Sequence, residues 1–274
     1  SCSACKERDP VDLYIEHLDA VSEPLVKRGI RPAIWHDMLQ HFDKTCSSFS
    51  RLPSRYAIWY WEYFTKYMYW GEEAEAALRR ESFAGREVVF CPSAQCYRDD
   101  PFLVKYGLHR ANIADAAAVC RRCKLKGMCL TSWSVHSGSK ALQMPLAEFA
   151  ALEYRNPDPD AHWQSVVKRN FGDVAVETLD DLTAWDNELG DIDGRYGEFK
   201  DCALPAPDLI EAKVRTAEKR KDYSDRARKV VDRVESALVR MGSRETLTPL
   251  GCLAVEAGEL KSAYHRAQLE RLGS

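Results

Sequence analysis

Four short apolar segments of this sequence end in the same kind of chemistry. The first closes on Trp35-His36-Asp37-Met38 and the second on Trp59-Tyr60-Trp61-Glu62-Tyr63. The third leads into Ser93-Ala94-Gln95-Cys96-Tyr97-Arg98, and the fourth into Trp133-Ser134-Val135-His136. Indole and phenol rings stack on the apolar faces of sugars, while carboxylate, imidazole and guanidinium groups meet sugar hydroxyls. Aromatic walls with a few polar groups therefore suit a carbohydrate pocket. Any single Trp is as readily a core residue, so the reading rests on four successive segments that finish alike.

The chain holds ten cysteines, with CxxC spacing at Cys2/Cys5 and at Cys120/Cys123, and Cys129 beyond. Paired CxxC motifs can hold zinc through four thiolates. Here the pairs stand more than a hundred residues apart and the second falls within a helical pattern. Disulfide scaffolds are short and cysteine-dense, unlike this chain. Scattered reduced thiols in a cytoplasmic protein are the expectation, with no metal site and no cofactor.

The elements that must position the aromatic tips follow from periodicity. Asp9-Pro10 is a helix start, and Val11, Tyr14, Leu18, Val21, Leu25 and Val26 recur at helical spacing up to Gly29. Arg31 to Trp35 is strand-like, as are Tyr56 to Trp59, Glu87 to Cys91 and Met128 to Thr131. Helical patterns span Glu72 to Phe83, closed by Gly85, then Leu108 to Leu125, ended by Gly127, and Leu146 to Tyr154. Short apolar strands alternating with amphipathic helices predict parallel βα units. The strand-to-helix loops carry the Trp, Asp, His and Tyr residues, which fits a (β/α) barrel with its chemistry at the carboxyl ends of the strands. Four strands amount to half of such a barrel, or to a small open α/β sheet.

Asn156-Pro157-Asp158-Pro159-Asp160 predicts a boundary, dividing the chain into 1–156 and a helical domain at 157–274. Between Asp158 and Asp201, twelve acids face four bases, in a pattern of two helices with a Gly-rich link near Gly190 to Gly197. Leu209 to Met241 and Glu245 to Leu272 read as long charged helices of an antiparallel bundle. Around Lys219-Arg220-Lys221, the interleaved Glu218, Asp222 and Asp225 make a solvated helix face rather than a nucleic-acid stripe. The net charge, 39 − 42 = −3, also argues against a nucleic-acid partner. No apolar run approaches the roughly 20 residues that cross a bilayer, so no membrane partner is expected. The chain opens on Ser1-Cys2-Ser3-Ala4-Cys5 with neither Met nor signal segment. The expectation is a cytoplasmic protein whose authentic start lies upstream.

Arg31-Pro32-Ala33-Ile34-Trp35-His36-Asp37-Met38-Leu39, preceded by Leu13-Tyr14-Ile15-Glu16-His17, resembles glycoside hydrolase family 20. Its nearest branch is the hexosaminidase D-type β-N-acetylhexosaminidases. The aromatic second strand, the Ser93-Ala94 strand end and Leu130-Thr131-Ser132-Trp133 follow in matching order, covering roughly residues 1–155. The resemblance implies the C-terminal half of a (β/α)8 TIM barrel, with four parallel strands, followed by an α-helical bundle.

It also implies a substrate-assisted retaining mechanism acting on an N-acetylhexosamine-containing glycan. In that family a Glu protonates the leaving oxygen, the substrate's acetamido oxygen attacks the anomeric carbon, and an adjacent Asp orients the acetamido group. By position, Trp35, Trp59 or Trp61, and Trp133 are aromatic walls of the N-acetyl pocket, and Tyr97 supplies a hydroxyl to the acetamido oxygen. Asp37 and Glu62 are either partners of sugar hydroxyls or surface carboxylates. The family's Asp-Glu pair is expected upstream of Ser1, on a missing N-terminal half-barrel that is itself a candidate partner. Glu72-Glu73 and Asp180-Asp181 lie on predicted helices and offer no substitute, so no catalytic residue is assigned. His36 stands where relatives commonly carry an acid, and Val135 where many carry Glu. The expectation is a glycosidase fragment inactive alone; the alternative is a non-catalytic carbohydrate-binding or scaffold protein.

Overall fold

The computed structural model describes residues 5–43, 47–63, 74–80, 83–96, 102–133, 140–184 and 214–273. The chain divides into two compact units, Ser1–Pro92 with Asp115–Cys129, and Ser93–Ala114 with Leu130–Ser274.

The first unit is built on an open, four-stranded, fully parallel sheet. Helix α1 (Pro10–Val26) starts where the sequence predicts: the Asp9 carboxylate accepts from the amides of Val11 at 2.7 Å and Asp12 at 3.3 Å. Strand β1 (Ala33–Trp35), helix α2 (Asp37–Phe42), strand β2 (Ala57–Trp61), helix α3 (Ala74–Leu78) and strand β3 (Val88–Cys91) follow. The strand order β1-β2-β3 is completed by β5 (Gly127–Met128). Register is continuous across the sheet, with Trp35 beside Trp59, Trp59 beside Val89 and Val89 beside Gly127.

Side chains alternate across a strand, and here the two faces differ. Ile34, Ile58, Tyr60, Val88 and Phe90 are buried in a core with Val11, Leu39, Phe49, Phe83 and Val119. Tyr14, Ile15 and Leu18 of α1 pack on that core partly buried. Val21 and Leu25, expected on the same stripe, are exposed. A helix of 17 residues spans about 25 Å, so the end of α1 outruns the three-residue strand β1.

The second unit begins with β4 (Ser93–Gln95), which pairs in parallel with β6 (Thr131–Ser132). Helix α4 (Tyr106–Arg122) gives its first half to this unit and its second half to the first. After β6 come α5 (Met144–Arg155), α6 (Pro159–Phe171), α7 (Val176–Leu182), α8 (Ala217–Met241) and α9 (Pro249–Arg271). Trp163 is fully buried, with its ring 5.4 Å from Tyr106 and 5.6 Å from Phe149. Glu235 on α8 meets Ser262 and Arg266 on α9, and Leu238 approaches Gly258, so the two long helices run antiparallel. Helix α9 also lies close to the end of α6: a Cβ at Gly251 would stand 2.8 Å from the Phe171 carbonyl oxygen.

Several expected boundaries move. β2 runs on to Trp61 rather than stopping at Trp59. The third strand, expected to end at Cys91, is followed directly after Pro92 by a further strand, Ser93–Gln95. Met128 to Thr131 is not one strand but the ends of β5 and β6. Gly127 lies in β5, and α4 is closed instead by Lys124 at φ 52°, with the Leu125 amide returning to the Cys120 carbonyl at 2.9 Å. Asn156 to Asp158 is the turn between α5 and α6, both in the second unit, and Pro159 and Asp160 already belong to α6. The Gly190 to Gly197 link and the start of the Leu209 helix lie outside the described residues.

Candidate functional site

Successive odd-numbered residues of β1 and β2 carry indoles to the sheet face opposite the covered core. Trp35, Trp59 and Trp61 are half-buried. The Trp35 and Trp59 rings meet edge to face, centroids 5.3 Å apart at 85°. Two residues along β2, Trp61 stacks on buried Tyr63 at 4.9 Å and 26°. These are the geometries the aromatic quadrupole favours, so the rings brace one another while leaving surface open.

His36 knits the two strand ends together. It is fully buried, its ring stacked 3.9 Å from Tyr60 and set edge-on to Trp61 at 5.6 Å. Its Nδ1 accepts from the Trp61 amide at 3.3 Å. Burial is the main cause that pulls its pKa from 6.5 to about 3, so the ring is neutral at physiological pH.

Two carboxylates flank the indoles in sequence. Glu62 is only 5 % exposed and its Oε1 accepts from the Tyr63 amide at 2.9 Å, so it is not a surface carboxylate. Asp37 opens α2, half-buried, and its enclosed Oδ1 has no hydrogen-bond partner among the described residues. A buried acceptor without a donor is costly, and it suits a site where a ligand hydroxyl or water supplies one.

No protein-family model and no curated protein matches this chain. Of the sites expected from sequence, Trp35, Asp37, Trp59, Trp61 and Glu62 lie on the strand ends of the first unit. Trp133 belongs to the second unit, where it is 49 % exposed and its amide donates to the Gln95 carbonyl at 2.9 Å. Tyr97 lies outside the described residues.

The structure adds polar residues that patterning did not single out. In the second unit, Gln143 donates to Gln95 Oε1 and accepts from Ser132, each at 2.6 Å, beside an open cleft of about 470 Å3 lined in part by Ser132, Lys140, Gln143 and Met144. Gln143 lies 48 residues from Gln95, so only the fold brings them together. Cys91, Cys96 and Cys120 are buried and fill space. All seven in the described residues are free thiols, and no group of three His, Cys, Asp or Glu side chains there converges on a metal position. Burial pushes Cys91 up strongly and Cys120 up to about 12, which removes the thiolate that metal binding and nucleophilic chemistry need. Cys2, of the first CxxC, lies outside the described residues. No helix among the described residues is long and apolar enough to cross a membrane.

Proposed function

We propose that the indole face of the first unit binds carbohydrate, as one aromatic wall of an N-acetylhexosamine pocket of the glycoside hydrolase family 20 kind. The observation that carries this reading is the half-buried ladder of Trp35, Trp59 and Trp61 on one face of a parallel sheet whose other face is sealed. Parallel strands are ordinarily covered on both faces. Here the less covered face carries three half-buried indoles beside Val89. The parallel strand order β1-β2-β3-β5, in which the neighbours keep chain order although β4 pairs elsewhere, supports half of a (β/α)8 barrel.

Hydrolysis needs a proton donor at the glycosidic oxygen, and removing a general acid typically forfeits about 10²–10⁴-fold in rate. The sequence holds no adjacent Asp-Glu pair. Our reading is that this polypeptide supplies sugar-binding surface and that the acid belongs to the other half of the barrel. Titration with N-acetylglucosamine should quench Trp fluorescence saturably in the millimolar range, while nitrophenyl N-acetyl-glucosaminide stays intact. Absence of quenching refutes the sugar site; release of nitrophenol by the purified chain refutes the division of labour.

A further inference from the structure

We infer that His36 is the positioning residue of the indole face, holding Trp61 in place through the β2 backbone rather than touching the ligand. The inference rests on the sugar-binding reading above and adds the residue that gives the face its geometry.

The reason lies in how the parallel ladder ends. The bonds from β2 and β1 alternate along the pair: the Ala57 amide donates to the Pro32 carbonyl at 3.0 Å, and the His36 amide donates to the Trp59 carbonyl at 3.1 Å. The next rung would join the Trp61 amide to the His36 carbonyl. That carbonyl is already committed, because α2 begins here and the Gln40 amide donates to it at 3.2 Å. The ring supplies the missing acceptor, with Nδ1 taking the Trp61 amide at 3.3 Å. One side chain thus carries the ladder a residue beyond the end of β1, and the β2 residue it holds, Trp61, bears the outermost indole of that strand.

Few side chains meet both demands of the position. It needs a flat face to lie on Tyr60 at 3.9 Å and an in-plane acceptor aimed at a backbone amide. Phenylalanine offers the face without the acceptor, and asparagine the acceptor without the ring. A carboxylate, which the family resemblance leads one to expect here, would place a charge in a fully enclosed position against two aromatic rings. Accepting at Nδ1 also fixes the tautomer, with the proton on Nε2.

The test compares wild type with His36→Phe and His36→Asn, reading hydrogen exchange of the Trp61 amide and affinity for N-acetylglucosamine. In His36→Phe the Trp61 amide should lose protection and affinity should fall about tenfold, the value of one lost positioning bond. His36→Asn should restore amide protection and most of the affinity, a recovery that loss of packing alone does not produce. In labelled wild type, which does not depend on any variant folding, the 15N shifts of His36 should report an unprotonated Nδ1. An Nδ1–H tautomer, or a His36→Phe variant that binds sugar as tightly as wild type, overturns the inference. A wild type that binds no sugar overturns instead the reading on which it rests.

Discussion

The two faces of the parallel sheet are made from the same strands, yet they are finished differently. On one, Ile58 and Tyr60 are 0 % and 1 % exposed beneath helices α1 to α4. On the other, Trp59 and Trp61, their immediate neighbours in sequence, stay half-buried. Fully burying a large apolar side chain stabilises by about 1.5–3 kcal/mol, and the larger indoles forgo part of that gain. The contrast teaches that one face specifies the fold, while the other is held by ring-on-ring bracing and His36 and keeps part of its apolar surface open.

The largest effect expected from this contrast is on the sealed face. Ile58→Ala should cost about 2–5 kcal/mol in urea unfolding, through lost burial and the cavity left behind. Trp59→Ala, one residue away, should cost no more than about 2 kcal/mol, because part of the ring is already in water. Equal losses at the two positions would erase the distinction between the faces.

Acid should then act through His36. Its folded pKa near 3 lies below the ordinary 6.5, so below pH 6.5 the unfolded chain binds a proton that the folded chain refuses. Stability from this group is full above pH 6.5 and declines as pH falls from 6.5 toward 3, with a slope of at most about 1.4 kcal/mol per unit. Denaturant midpoints at pH 7, 6, 5 and 4 should show the decline in wild type. A variant with no ionisable group there, His36→Phe, should lack that share of it.

Smaller in free energy but sharper in meaning is Trp61→Ala. It should weaken N-acetylglucosamine binding by at least about tenfold, near 1.4 kcal/mol, with only a modest shift in unfolding midpoint. Smallest of all, Val89→Thr, on the indole face beside Trp59, should change stability by less than about 1 kcal/mol. Val88→Thr on the sealed face, where a hydroxyl finds no water, should cost clearly more.

Much of this arrangement is legible in the chain before any coordinates. Asp9-Pro10 marks the start of α1 because a cap and a fixed φ are local properties, and Gly29, at φ +74°, stands in the turn that follows it; the helix stop expected at Gly85 does not match, because α3 ends at Leu78. Aromatic strand ends are legible because alternation in a strand is set by neighbours two apart. Other features depend on distant partners. Lys124 adopts a left-handed backbone where glycine is the usual choice, so a reading based on residue type puts the stop at Gly127. Pro92 has no amide to give a ladder, yet strand structure resumes at Ser93 because Thr131 is there to pair with it. The role of His36 is invisible from composition: its value comes from Tyr60 and Trp61 across a parallel register that the sequence does not spell out.

The central claim concerns which tryptophans meet sugar, and indole N–H spectra of labelled protein address it directly. As N-acetylglucosamine is added, the Trp35, Trp59 and Trp61 signals should shift together and saturate, while Trp163, fully enclosed in the second unit, stays fixed. Signals of those three indoles that remain where they began at saturating sugar would contradict the account.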